Sequence, residues 1–291
     1  MEPTEIEPTQ PTPLQPPVAP ATIAPAWHTV VLVAGILAIS IDGASRLSAL
    51  HAPLDRLRTY GFTAAMDLAL LAWVALGLRL NKTPLRSLLG SFSWDIRSIA
   101  TDVGAAAVFW IVSLMTLGSL GIAWSGVEAA LAHSPPPPHV DGHIANAPQS
   151  SQARQAGQAE QALAPHDSQL RTLRALVQLA PANGKEMAAW ALLCVLVGIV
   201  EEIIFRGYLQ RQFIGWARGS LPWGVAASAV VFGAAHAYQG ARGMFLIAAF
   251  GALFSVLALY RRSLRAGIFA HVWNDLMAGF ALALLRSRHI I

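Results

Sequence analysis

EMAAWALLCVLVGIVEEIIFRGYLQ, residues 186–210, runs apolar from Met187 to Val200 and then sets Glu201, Glu202 and Arg206 into the same apolar register. As helix, these 25 residues exceed the roughly 30 Å of a bilayer's hydrocarbon core. An ionised side chain near the middle of such a span costs about 2.5–3.5 kcal/mol on insertion scales, so charged groups there normally face a polar interior and serve a function. The stretch therefore predicts a membrane-crossing helix that carries chemistry.

Outward from this stretch the chain keeps the same character. It is 55% hydrophobic and only 12% charged, with a mean hydropathy of +0.49, far more apolar than a soluble domain of this length. Apolar runs of spanning length recur near 27–42, 60–80, 99–124, 186–210, 223–238, 244–260 and 266–285. No barrel-type alternation accompanies them, and lipid offers no partner for unpaired backbone groups, so the predicted fold is all-α: a polytopic transmembrane helical bundle of about seven spans. The net charge of +4 comes from basic residues at the ends of apolar runs, which suits headgroup anchoring; no aromatic-interleaved basic patch suggests nucleic acid. The single cysteine, Cys194, sits inside an apolar segment and reads as a small buried hydrophobe.

Four regions follow. Residues 1–26 form a proline-rich tail expected to be disordered and cytosolic, better read as a solvated spacer than as a partner-binding segment; 27–124 hold the first helices; 125–185 form a polar loop; and 186–290 form the core that carries the chemistry. Within the loop, His133, His139 and His143 lie close in sequence but lack helical spacing and supporting acids, and are read as solvated rather than metal-binding. Leu170, Leu173 and Val177 share a helical face opposite Arg171 and Arg174, the pattern of a short helix lying on the membrane surface. With seven spans, Lys82, Arg86 and Arg97, then Arg211 and Arg218, then Arg261, Arg262 and Arg265 fall on the side of the N-terminal tail, which the positive-inside rule makes cytoplasmic.

At about 100° per residue, Glu202 and Arg206 share a helical face and can pair, while Glu201 points elsewhere. The three residues can form an ion-pair lock between helices, or the pair can leave Glu201 as a desolvated carboxylate suited to general-base work. Two later segments offer what such a base needs. Phe232 and His236 are four apart in VVFGAAHAYQG, and His271 and Asp275 are four apart in AGIFAHVWNDLMAG, with Asn274 rotated off their face. No HExxH, GxSxG or GxGD-type pattern occurs in the core.

These motifs resemble the CAAX-protease and bacteriocin-processing superfamily, the CPBP or Abi family, whose pattern is EExxxR on one helix, FxxxH on a second and HxxxN or HxxxD on a third. Here they read EEIIFR at residues 201–206, FGAAH at 232–236 and HVWND at 271–275. The resemblance covers about the last third of the chain and implies an intramembrane endopeptidase. It implies that Glu201 and His236 hold and activate a water, that His271 and Asp275 stabilise the oxyanion, and that Glu202 and Arg206 brace the site. Asp275 stands where the CAAX endopeptidase has asparagine. An ionised aspartate donates no hydrogen bond, so Asp275 is either protonated or orients His271, and Asn274 donates only if the helix is locally rotated.

The favoured reading is metal-free, with zinc as the alternative, since two carboxylates and two histidines can in principle ligate it. Expected partners are membrane lipid and a peptide or protein substrate, with a prenylated C-terminal CAAX peptide one candidate among leader peptides and membrane-tethered regulators. The expected location is the plasma or inner membrane. A non-catalytic membrane protein, for bacteriocin self-immunity or scaffolding, and a proton-relay transporter are the readings from other classes.

Overall fold

The computed structural model describes residues 22–48, 55–91, 93–132, 170 and 172–288. Seven longer helices organise it: α1 (Ala26–Ser48), α2 (Arg56–Leu80), α3 (Ile96–Ala132), α4 (Gly184–Trp216), α5 (Leu221–Ala234), α6 (Gly240–Arg261) and α7 (Arg265–Ser287). Residues 172–179 form a short helix before α4, with Val177 buried and Arg174 exposed, as the opposed faces predicted; Arg171 lies outside the described residues. So do the three loop histidines and residues 1–21 of the tail.

Local sequence explains where the helices begin. Asp55 caps α2 by accepting from the Arg58 amide at 3.1 Å. At α4, Asn183 accepts from the Glu186 amide at 3.0 Å while Glu186 reaches back to the Ala182 amide at 2.7 Å, so amides left over at the helix start are satisfied. Pro222 opens α5, where a missing N–H is harmless.

The described residues pass seven times between two ends of one bundle. At one end Gln212 bonds the backbone of Ile23 and Ala24, Arg211 donates to the Ser87 carbonyl, and the Leu264 amide donates to the Leu89 carbonyl. Asp102 is buried there between Arg261 and Arg265, at 2.5 Å from each, and Arg265 also donates to Ser98 Oγ at 2.6 Å. At the other end Ser40 bonds Ala234 and Ala237, Arg242 donates to the Gly121 carbonyl, and Tyr60 donates to the Leu179 carbonyl. The basic loops expected on one side thus do share an end with Thr22–Ala24.

Among the described residues, six helices are long and apolar enough to cross a membrane. The fifth pass differs from its predicted span of 223–238: α5 has 14 residues, about 21 Å of helix, and the chain leaves it in a turn at His236 and a short 3₁₀ segment, Ala237–Gln239. The third helix corrects another boundary. It continues to Ala132, so the polar loop read as starting at Ser125 begins with helix.

A third departure matters most for the chemistry. The predicted span 186–210 is not α-helix throughout, because residues Glu202–Leu209 form a π-helix, entirely buried. The wider turn is held from outside. Ser228 Oγ donates to the Phe205 carbonyl at 2.7 Å, and Gln210 Nε2 donates to the Ser255 carbonyl at 3.3 Å. Tyr208 Oη meets His28 Nδ1 at 3.0 Å and Thr29 Oγ1 at 2.9 Å. His28 in turn bonds the Trp73 carbonyl at 2.9 Å and stacks on the Trp73 ring. Buried polar groups require such partners, and here they join α1 and α2 to the π-helical segment. Around them pack Val74, Leu78, Val200, Ile204 and Leu209, all buried.

Candidate active site

The π-helix places Glu202 and Arg206 deep inside the bundle. Arg206 Nη1 lies 2.9 Å from Glu202 Oε1, with both side chains fully buried. Arg206 Nη2 also donates to the Gly251 carbonyl on α6 at 3.3 Å. The guanidinium lies between aromatic faces, 4.3 Å from the Phe232 centroid and 4.8 Å from that of Phe254. An arginine suits this position because its planar, weakly hydrated cation pairs and stacks at once.

Glu202 Oε1 takes a second bond, from His271 Nδ1 at 3.1 Å. A carboxylate paired to arginine only accepts, so the hydrogen of this contact belongs to His271 Nδ1. That leaves Nε2 facing two further acids, with Glu201 Oε2 at 3.5 Å and Asp275 Oδ2 at 3.8 Å. Glu201 and Asp275 are the members of the cluster that reach open space, with side chains 19% and 26% exposed, whereas Glu202 and Arg206 are sealed. Asn274 turns toward its neighbour and donates to Asp275 Oδ1 at 3.4 Å.

His236 occupies the turn after α5 rather than the helix on which it was expected. Its Nδ1 bonds the Phe232 carbonyl at 2.8 Å. A carbonyl only accepts, so Nδ1 carries the hydrogen and Nε2 keeps a lone pair. The ring lies 4.9 Å from that of Phe232, and Phe232 lies 6.2 Å edge-on from His271. Glu201, Glu202, Arg206, His271 and Asp275 are therefore joined by direct polar contacts, and His236 approaches the group across the Phe232 ring.

The close fit depends on residues outside the recognised motifs. A Cβ at Gly267, one turn before His271, would stand 2.8 Å from Glu202 Oε2; glycine lets the carboxylate lie against α7. A Cβ at Gly198 would stand 2.7 Å from Val272 Cγ2, so α4 and α7 approach closely beside the acids. Phe254 stacks on His271 at 5.1 Å as well as on Arg206. The i,i+4 spacing of Gly267 and His271 was the available sequence signal for the first of these. Nothing in the sequence alone singled out Gly198 or Phe254 from other small and aromatic residues in apolar runs.

Residues 183–277 match the family described as Type II CAAX prenyl endopeptidase Rce1-like. This Rce1-like segment runs from the cap of α4 into α7 and contains every acid, histidine and arginine of the cluster. It agrees with the CPBP resemblance carried by the three motifs. The family is one of peptidases, and the six membrane-length helices make the protein that carries the Rce1-like segment a multi-pass membrane protein. No curated protein and no solved structure matches the chain. Among the described residues, no group of three or more His, Cys, Asp or Glu side chains is arranged to hold a metal ion. Glu202, which a two-carboxylate site would need, holds Arg206 and His271 with Oε1, while its Oε2 lies buried without a hydrogen-bond partner among the described residues.

Proposed function

We propose that the protein is an intramembrane endopeptidase in which Glu201 activates a water for attack on a peptide carbonyl. The observation that carries this reading is the division between the two adjacent glutamates. Glu202 is sealed and bonded to Arg206 and His271, whereas Glu201 is partly exposed and meets only His271 among the polar side chains of the cluster. His236, with its hydrogen on Nδ1, presents an Nε2 lone pair that can accept a hydrogen bond from the same water. Glu201 then takes the proton and returns it to the leaving amine.

His271 is the oxyanion donor of this proposal. Its Nδ1–H is held by Glu202, and a second proton on Nε2 would be shared among Glu201, Asp275 and the developing oxyanion. Asp275 acts by orienting and compensating that imidazole rather than by donating itself. The reaction proceeds without metal in this reading, supported by the sealing of Glu202 in the bundle and the pairing of its Oε1 with Arg206 and His271. The substrate is a membrane-associated peptide or protein, with a prenylated C-terminal peptide as the class named by the family description.

Glu201→Gln keeps the shape and removes the base, and is expected to slow cleavage by about 10²–10⁴-fold. Membrane proteomes of cells expressing parent or variant at equal levels provide the test. Protein termini that appear with the parent alone support the proposal, and identical sets of termini overturn it. Activity that persists through exhaustive chelation supports the metal-free form; activity lost to chelation and restored by zinc alone refutes that part.

A further inference from the structure

At the end of the bundle opposite Asp102, a cavity of about 310 Å³ is lined by Arg56, Arg174, Val177, Gln178 and Arg286. Three separate elements supply the arginines: the start of α2, the short helix 172–179 and the last turn of α7. Among the described residues, no carboxylate lines it. Glu186 lies 3.7 Å from Arg56 Nη1 and also accepts from the Ala182 amide, so this neighbouring carboxylate is already committed.

Two of the arginines are fixed by backbone carbonyls. Arg56 Nε donates to the Gln178 carbonyl at 2.8 Å, and Arg286 Nη1 donates to the Ala180 carbonyl at 3.2 Å. Each guanidinium carries five N–H donors, so most donors on both remain available, and prior anchoring lowers the entropy lost on binding a ligand. Arg174 is exposed and makes no ion pair with any described residue. Three cations converging from three sides suit a tetrahedral anion better than a planar carboxylate, which offers only two oxygens. The cavity also lies where the termini of two spans meet a helix with the apolar and basic faces of a membrane-surface element, which is the depth of lipid phosphates.

We propose that this cavity binds a phosphate-bearing group at the membrane surface, a phosphate mono- or diester carried by a lipid headgroup or by a small soluble ligand. The site is independent of the peptidase reading, because none of its residues belongs to the Glu201–His271 cluster.

The test uses the full-length protein in a phosphorus-free maltoside detergent. Its thermal unfolding midpoint is followed on titration with inorganic phosphate and, separately, with phosphatidylglycerol, with phosphatidylcholine as the zwitterionic comparison. A ligand that binds the folded state raises the midpoint. The half-saturating concentration is expected to rise at least tenfold in Arg174→Gln and Arg286→Lys, and to stay unchanged in Arg218→Gln, which removes an exposed charge at the opposite end. A rise with phosphatidylglycerol alone assigns the lipid source, and a rise with inorganic phosphate assigns a soluble one. No rise with any probe, or equal weakening in Arg218→Gln, overturns the proposal. Arg174 bonds no described residue, so Arg174→Gln retains the fold and the comparison stays interpretable.

Discussion

Gly267→Ala separates two forces of opposite sign. Within a helix, replacing glycine by alanine adds up to about 1 kcal/mol of stability, so propensity alone predicts a firmer first turn of α7, where Gly267 is the third residue. The structure predicts the reverse. The new methyl would stand 2.8 Å from Glu202 Oε2 and 3.4 Å from its Cδ, and the carboxylate has no room to yield, being held by Arg206 at 2.9 Å and His271 at 3.1 Å. Overpacking costs about 1–3 kcal/mol, and a displaced Glu202 weakens charge-assisted bonds of about 1.5–3 kcal/mol each. The clash outweighs the propensity gain, for a net loss of about 2–3 kcal/mol, or a midpoint lower by roughly 4–12 °C. Gly104→Ala on α3 is the control, since a Cβ there meets nothing within 4 Å; its midpoint is expected to hold or rise. Thermal unfolding of the purified proteins gives the stability arm, and the yield of parent-dependent protein termini gives the activity arm, expected to fall at least tenfold for Gly267→Ala. A Gly267→Ala protein as stable and active as the Gly104→Ala control would refute the claim that α7 clasps Glu202.

Three further outcomes follow from the same geometry. Arg206→Leu strands a buried carboxylate and is expected to cost about 3–5 kcal/mol, whereas the double variant Arg206→Leu/Glu202→Leu recovers much of that stability without activity; the two unfolding midpoints check this. Tyr208→Phe removes the hydroxyl shared by His28 and Thr29 and is expected to destabilise by about 1–3 kcal/mol, read as a lower midpoint and faster amide exchange in the π-helical segment. Asp102→Ala leaves Arg261 and Arg265 facing each other, and earlier proteolysis between residues 81 and 95 is the expected result, because Arg265 also ties down Ser93 and Ser98.

Much of the geometry of the candidate site was legible because its polar residues stand at short fixed spacings. EExxxR and HxxxD each put two polar groups on one helical face, and charged groups in apolar runs stand out against their cost. The Glu202–Arg206 pair forms as that spacing suggests, yet on a π-helix. Local propensity gives no sign of that wider turn, because its supports come from Ser228, Gln210 and the His28–Thr29 pair, two of them on elements distant in sequence. His236 shows a related limit. Periodicity carried the apolar run through it, whereas the chain turns after Ala234, where the Ser40 hydroxyl donates to the Ala234 carbonyl. The second role of Glu202, as the acceptor that fixes the His271 ring, depends on the distance between α4 and α7, which two glycines set and no single segment reveals.

The shortness of α5 bears on the lipid as well as on the fold. At about 21 Å against roughly 30 Å of hydrocarbon, this helix is shorter than the bilayer core it would face, a mismatch met by local thinning, by snorkelling of flanking residues or by association. Local thinning here would bring headgroups and water nearer the turn at His236 than they come beside the longer helices.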